Sequence, residues 1–400
     1  MIADKTAEQF DQVFGTKLDG AAALLGALDP GEAKFAVFFS STTARFGRKG
    51  QVDYAMANEA LNKLARSCGI RAVSFNWGPW RGGMVTPAVE KVFEAEGVGL
   101  IDVSSGAKLL VDALADPACP SELVVLGEAP MPFAFERTVA LEDHPVLNSH
   151  RLAGKPVLPA ALMAEWLAHA ALHANPGLGF SAIEDFRVLK GVVLDKPARL
   201  RFYAGRIRDG VCPVEMRSSD GAPRARARVL LGHAGEAPEG VALDLDRSSL
   251  SAERIYNEHL FHGEPMRFIE SVDGLSDAGI VCRARTAPVP SEWMKKPLRS
   301  RWITDPAAID AAFQALIVWS RERKGMPCLP TGFASYKQFR AGFPKGGVIL
   351  RAKVIEAAAR RARADVDFID DAGAVVARMS GYDCVLDAGL DAAFKNGAAV

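Results

Sequence analysis

HPVLNSHRLAGKPVLPAALMAEWLAHAALHA, residues 144–174, sets His150, Gly154 and Pro159 at fixed intervals and then runs into a helical pattern. Leu162, Trp166, Leu167, Ala170 and Ala171 recur at three- and four-residue steps, which gathers them on one helix face. Pro159 stands where that helix would begin, a position proline tolerates because its missing N–H would find no partner there. A histidine on an extended run beside a glycine turn and a long apolar helix suits proton transfer. The same spacing also fits a surface histidine near a helix start.

Outward from this stretch, residues 183–194, 198–207, 211–219 and 224–234 alternate or carry β-branched residues, with turns such as Ser219-Asp220-Gly221 between them. One helix followed by an antiparallel meander suggests a sheet wrapped around a central helix. Residues 232–249, rich in glycine and acids, read as a connector. The pattern then repeats loosely: a second helix over 305–323, followed by strand-like runs within 329–386. Two helix-plus-meander units imply an internal duplication. On the second helix Ile309, Ala312, Phe313, Leu316 and Ile317 form an apolar stripe. Asp310 and Gln314 lie four apart and share a face. They could form a solvated flank, but Ile309, Ala311, Ala312 and Phe313 surround Asp310, and in such a setting a carboxyl stays protonated. A protonated acid near a neutral histidine is what elimination of water requires.

Towards the N-terminus, helix and near-continuous apolar strand alternate. A helix over 6–28 precedes the strand FAVFF at 35–39, a helix closed by Gly69, the strand AVSFNW at 72–77 and a further strand near 123–127. That order argues for a parallel α/β sheet. Lys17, Ser41, Tyr54 and Asn58 fall in register within it, and a strand-end serine facing a helix-borne tyrosine suits carbonyl reduction. APMPFAF at 129–135 reads as a linker or an extended edge.

The totals narrow the function classes. The chain has 400 residues, 49% of them hydrophobic and 24% charged, with a formal net charge of zero. That balance gives no reason to expect nucleic acid or an anionic membrane as partner. The six cysteines are scattered without a CxxC pair, so a zinc or redox motif has no support. No signal peptide or membrane-length apolar run is read, and a cytoplasmic setting with free thiols is the expectation.

FFSSTTARFGRKGQVDYAMANEALNKLA resembles the core of a polyketide synthase ketoreductase domain, and NWGPW at 76–80 its following strand. The GQ-x-DYAMANE segment is most similar to iterative synthases of the polyunsaturated fatty acid type. The resemblance implies Ser41 and Tyr54 as the ketoreductase pair, with Lys17 and Asn58 as their partners. No glycine-rich dinucleotide loop precedes Lys17, so the NADPH site is expected to be incomplete, reductase activity absent, and the sheet left with an open edge and exposed apolar surface.

The second section resembles the double-hotdog dehydratases of type I polyketide and polyunsaturated fatty acid synthases. HRLAGKPVLP carries the family's His, Gly, Pro motif, DAAFQ its Asp-to-Gln motif, and LPTGF at 329–333 a further segment. YNEHLFHGEPMRF at 256–268 is similar to the family's tyrosine–glycine–proline segment, although Glu264 separates the glycine from the proline. The resemblance implies His150 as general base, Asp310 as acid and Gln314 as its orienter. It implies Gly154 as a backbone donor to the thioester carbonyl and Pro159 as the start of the helix. Tyr256 and His262 would line the tunnel or serve a structural role, and His144 would cap or pack. Arg187 and Lys190 would form a solvated edge or a carrier-protein contact.

The expected fold is an α+β double hotdog preceded by an incomplete α/β Rossmann-like section. Residues 1–130 form the ketoreductase-like half, 131–137 a linker, and 138–388 the dehydratase, with hotdogs at 138–235 and 248–388. The implied reaction is dehydration of a 3-hydroxyacyl thioester carried on the phosphopantetheine of an acyl carrier protein, with no metal or redox cofactor. Other synthase domains and a second copy are the further expected partners. The competing reading is a dehydratase-like module that holds or shapes the chain, as product-template domains do. A third, ketoreductase activity, would require NADPH binding.

Overall fold

Ala72–Trp77 is buried at all six positions because parallel strands flank it on both sides, Ala36–Ser41 and Glu122–Val125. This small sheet belongs to the first of two compact units, Met1–Pro130 and Met131–Val400, in a computed structural model. The structure describes residues 5–29, 31–83, 85–127, 131–241, 243 and 245–395. Helix Ala7–Ala27 starts at a capping box in which Thr6 and Gln9 exchange hydrogen bonds of 3.2 and 3.3 Å. None of its residues is fully buried. Helix Val52–Ser67 instead buries Ala57, Leu61 and Ala65. Both outer strands are edges, and Leu24, Phe35, Phe39 and Phe46 stay exposed. An open sheet with exposed apolar surface is thus present, as expected.

The second unit is built on one antiparallel sheet of eleven strands. Their spatial order is Ile269–Ser276, Gly279–Ala284, Val348–Ala357, Arg361–Ile369, Val375–Leu386, Cys328–Gln338, Phe180–Val188, Pro223–Leu231, Val211–Ser218, Ala198–Ala204 and Phe133–Val139. The two halves join where Phe180–Val188 pairs with Cys328–Gln338, with Phe186 opposite Phe333. Each half curls around one helix, Ala160–Ala174 or Pro306–Lys324, giving the double-hotdog arrangement. The first helix is buried continuously from Ala161 to Leu172 and the second from Pro306 to Ser320. A helix enclosed on all sides needs small and apolar residues all round, which accounts for the alanines between the expected stripes. The solvated-flank reading of Asp310 and Gln314 is therefore wrong.

Three further expectations need correction. Residues 131–137 are not a linker, because Phe133–Val139 forms an edge strand on Ala198–Ala204, so the first hotdog starts before residue 138. Of the junction segment, Ala129 and Pro130 lie outside the described residues. Pro159 is the cap rather than the first helical residue: it is extended (φ −61°, ψ 142°), and its carbonyl accepts from Met163 N–H at 3.1 Å. Strands Ile269–Ser276 and Gly279–Ala284 were not anticipated. Asp273, Gly274, Ser276 and Asp277 interrupt the alternation that would announce them. All six cysteines are free, and no helix among the described residues is long and apolar enough to cross a membrane.

Candidate active site

His150 follows the short 3-10 turn Pro145–Ser149 and opens the hairpin of Arg151–Leu152 and Lys155–Pro156. Its backbone N–H donates to Leu147 O at 3.3 Å, and its carbonyl accepts from Val157 N–H at 2.9 Å. Its Nδ1 lies 2.9 Å from Val157 O. A carbonyl can only accept, so Nδ1 carries the proton and Nε2 is left with a free lone pair. The ring is buried, with Phe261 edge-on at 5.0 Å. Loss of solvent pushes its pKa down to about 4.

Asp310 arrives from the other half, one turn into the second helix and fully enclosed. Burial raises its pKa to about 7, against the opposing hydrogen bond from Gln314. Gln314 Nε2 donates to Asp310 Oδ2 at 2.8 Å and to Met266 O at 2.9 Å. Tyr256 O–H donates to Gln314 Oε1 at 2.7 Å, while Ile269 N–H donates to the Tyr256 oxygen at 2.7 Å. The acid is thus oriented by a chain of hydrogen bonds running from the sheet through Tyr256 and Gln314. Tyr256 is part of this support.

His262 lies between the two halves. Its backbone bridges to His150, its ring stands 5.2 Å from that of His150, and its Nε2 is 3.5 Å from Asp310 Oδ2. Donor atoms of His150, His262 and Asp310 all fall within 4.8 Å of one another. Such spacing would admit a cation, and the same burial that raises the Asp310 pKa to about 7 also suits that carboxyl to holding a proton. The segment Ile255–His259 that precedes His262 is a wide turn, closed by Leu260 N–H on Ile255 O at 2.9 Å.

Gly154 sits with Ala153 at the hairpin tip, both at positive φ (75° and 50°), a conformation that glycine adopts without strain. It is exposed and is not brought among the buried groups. His144 packs: Arg137 donates to its Nε2 at 2.7 Å, and its Nδ1 donates to Ala140 O at 2.9 Å. Arg187 pairs with Asp383 at 3.3 Å. The backbone partners Val157, Met266 and Ile269 leave no trace in a sequence, because their contribution is main-chain.

In the first unit Lys17 Nζ donates to Asn58 Oδ1 at 2.9 Å and stands 5.4 Å from the Tyr54 ring, and Asn58 Nδ2 donates to Tyr54 O at 2.7 Å. Burial lowers the Lys17 pKa. Ser41 is instead engaged with Thr43, at 3.1 Å between the hydroxyls. Three of the four residues therefore share direct contacts.

A second group was missed. On the first helix Glu165 accepts from Ile303 N–H and Thr304 N–H, both at 2.8 Å, and from the Thr304 hydroxyl at 2.7 Å. His169 accepts from Arg299 at 3.0 Å. The signal was available, since Glu165 and His169 repeat the four-residue spacing of Asp310 and Gln314 at the matching place on the duplicated helix.

Comparison with known proteins agrees with this architecture. The KR domain family matches residues 1–82, the polyketide synthase dehydratase domain residues 127–219, and the polyketide synthase dehydratase N-terminal domain residues 234–386. The chain is 32% identical over 364 residues to a polyunsaturated fatty acid synthase of Thraustochytrium sp., covering 85% of this chain and 13% of that protein. It is 38% identical over 107 residues to mellein synthase of Phaeosphaeria nodorum, covering 26% of this chain and 6% of that protein. The chain therefore spans a small part of these relatives. The fold is similar to the dehydratase domain from the CurF module of curacin polyketide synthase (TM-score 0.53, 17% identity, 63% of this chain and 92% of that one). It is also similar to the dehydratase domain of a mycocerosic acid synthase-like polyketide synthase (TM-score 0.51, 18% identity, 63% and 90%).

Proposed function

The chain carries a ketoreductase-domain segment followed by a polyketide synthase dehydratase domain, and on that premise we propose that its second unit dehydrates 3-hydroxyacyl thioesters in polyketide or fatty-acid synthesis. One observation carries the reading: a buried imidazole and a buried carboxyl, from different halves, meet with their protonation preferences inverted. His150 Nε2 takes the proton from C2, whose electrons form the C2–C3 double bond. The C3–O bond breaks, and Asp310 protonates the departing hydroxyl to give water and a 2-enoyl thioester. The base gains one proton and the acid loses one, so a single transfer resets the site. Gln314 and Tyr256 hold the acid, and Pro159 sets the start of the first helix. Gly154, exposed at the hairpin tip and apart from the buried groups, is given no part in this step.

No redox cofactor enters this chemistry, and the acyl group is taken to ride on the phosphopantetheine of an acyl carrier protein, in the cytoplasm, within a homodimeric synthase. No reductase role is assigned here to Lys17, Ser41, Tyr54 and Asn58. The test is turnover of a 3-hydroxyacyl carrier-protein substrate by the purified chain. His150→Ala and Asp310→Asn should each abolish it. No turnover by the parent protein would favour a module that only holds or shapes the acyl chain.

A further inference from the structure

The pair His150 and Asp310 accounts for the reaction, yet His262 is buried against both, and the dehydration chemistry does not use it. Its place is firmly determined. Gly263 N–H donates to Ser149 O at 2.8 Å, and a side chain at Gly263 would come within 3.0 Å of Ser149 Cβ. Phe261 stacks on the imidazole at 4.1 Å. The segment is therefore stitched to the one that bears His150, which fixes the backbone from which the ring extends.

Its two nitrogens face different surroundings. Nδ1 is buried without a hydrogen-bond partner, and Nε2 lies 3.5 Å from Asp310 Oδ2. A buried N–H with no acceptor is costly, whereas a bare ring lone pair is the lesser loss. The proton therefore sits on Nε2, directed at the acid. Asp310 Oδ2 already accepts from Gln314, which leaves Oδ1 to carry the acid's proton. At 3.5 Å the imidazole contact is loose in the resting site, as catalytic hydrogen bonds often are before charge develops.

We propose that His262 is a positioning residue that donates from Nε2 to the carboxylate left on Asp310 once the acid has protonated the departing hydroxyl. This rests on the dehydration reading. His262 and Gln314 would then hold the anion together, strengthening as it forms and relaxing when the proton returns. No covalent bond to His262 is made or broken. The ionisable groups facing Asp310 are His150, His262, Tyr256 and Tyr382, and none of them is a permanent cation. Neutral donors must therefore carry the stabilisation.

Two readouts on the full chain test this: a pH titration of the Asp310 carboxyl by carbon NMR, which needs no turnover, and the pH profile of dehydration. For His262→Phe the Asp310 midpoint and the alkaline limb of kcat should both move up by about one pH unit, with kcat down ~10–100-fold and KM little changed. His262→Gln, which restores a donor, should move both back towards the parent values. If His262→Phe does not fold, His262→Leu is read in the same way. An unmoved midpoint in a folded variant overturns the proposal. A midpoint that moves as expected while the parent protein shows no turnover retains the donor contact from His262 to the Asp310 carboxylate but overturns its part in dehydration, because the dehydration reading has then failed.

Discussion

At the scale of single residues, the site depends on two groups displaced in opposite directions by one cause, the loss of solvent. The acid must be protonated to donate, which holds below about pH 7, and the base must be neutral to accept, which holds above about pH 4. Dehydration should therefore plateau between these values, falling as pH rises through the acid's midpoint and as it drops through the base's. A pH–rate profile of kcat/KM measures both limbs, and a profile centred above about pH 8 would refute the assignment. Tyr256→Phe removes the donor to Gln314 and strands the Ile269 N–H. It should lower kcat ~10-fold and cost about 1–3 kcal/mol of stability, read by steady-state kinetics and denaturant unfolding. Chelators should leave turnover unchanged, since protons and not a cation do the work proposed. Much of this was legible in the sequence: the His150 motif, the Asp310–Gln314 spacing and the apolar neighbours of Asp310 all appear in one line of letters. The role of His262 did not, because its meaning lies in which nitrogen lacks a partner.

At the scale of elements, the two central helices hold corresponding places in the two halves. Each carries a buried acid near its start with a polar residue four positions on. Asp310 accepts from the Gln314 side chain, and burial raises its pKa to about 7. Glu165 is occupied by two backbone N–H groups and a hydroxyl just ahead of Asp305, which caps the acid's helix. Glu165 thus clamps the start of the helix that bears the acid, reaching across from the other half. Glu165→Ala would strand those donors and should destabilise the second unit by about 2–4 kcal/mol, measured by urea unfolding. An unchanged midpoint would contradict the clamp. The helices themselves were easy to foresee from their spacing. Their complete enclosure was not, because alanine suits a buried helix and an exposed one equally well.

At the scale of the whole molecule, the two units are unequally built. The second has one continuous core spanning both helices and the long sheet. The first has small separate clusters, such as Phe38, Leu61, Ala65 and Ala72, beneath a three-stranded sheet. Heating should therefore give two transitions, with the first unit melting earlier. Calorimetry joined to limited proteolysis would show it, and one cooperative transition would speak against it. APMPFAF at 129–135 reads in the sequence as a linker or an extended edge, with 131–137 taken as the linker, because proline marks linkers and sheet margins alike.

That marginal strand has a practical consequence for anyone who would trim this chain. A shortened protein beginning at residue 138 would look complete by its motifs, yet it would strip Ala198–Ala204 of its neighbour along nearly its whole length. A bare row of amides and carbonyls beside Phe202 would then invite other molecules to fill the gap. Cutting before residue 131 keeps Ala198–Ala204 paired with Phe133–Val139, and the two truncations should differ in solubility before they differ in chemistry.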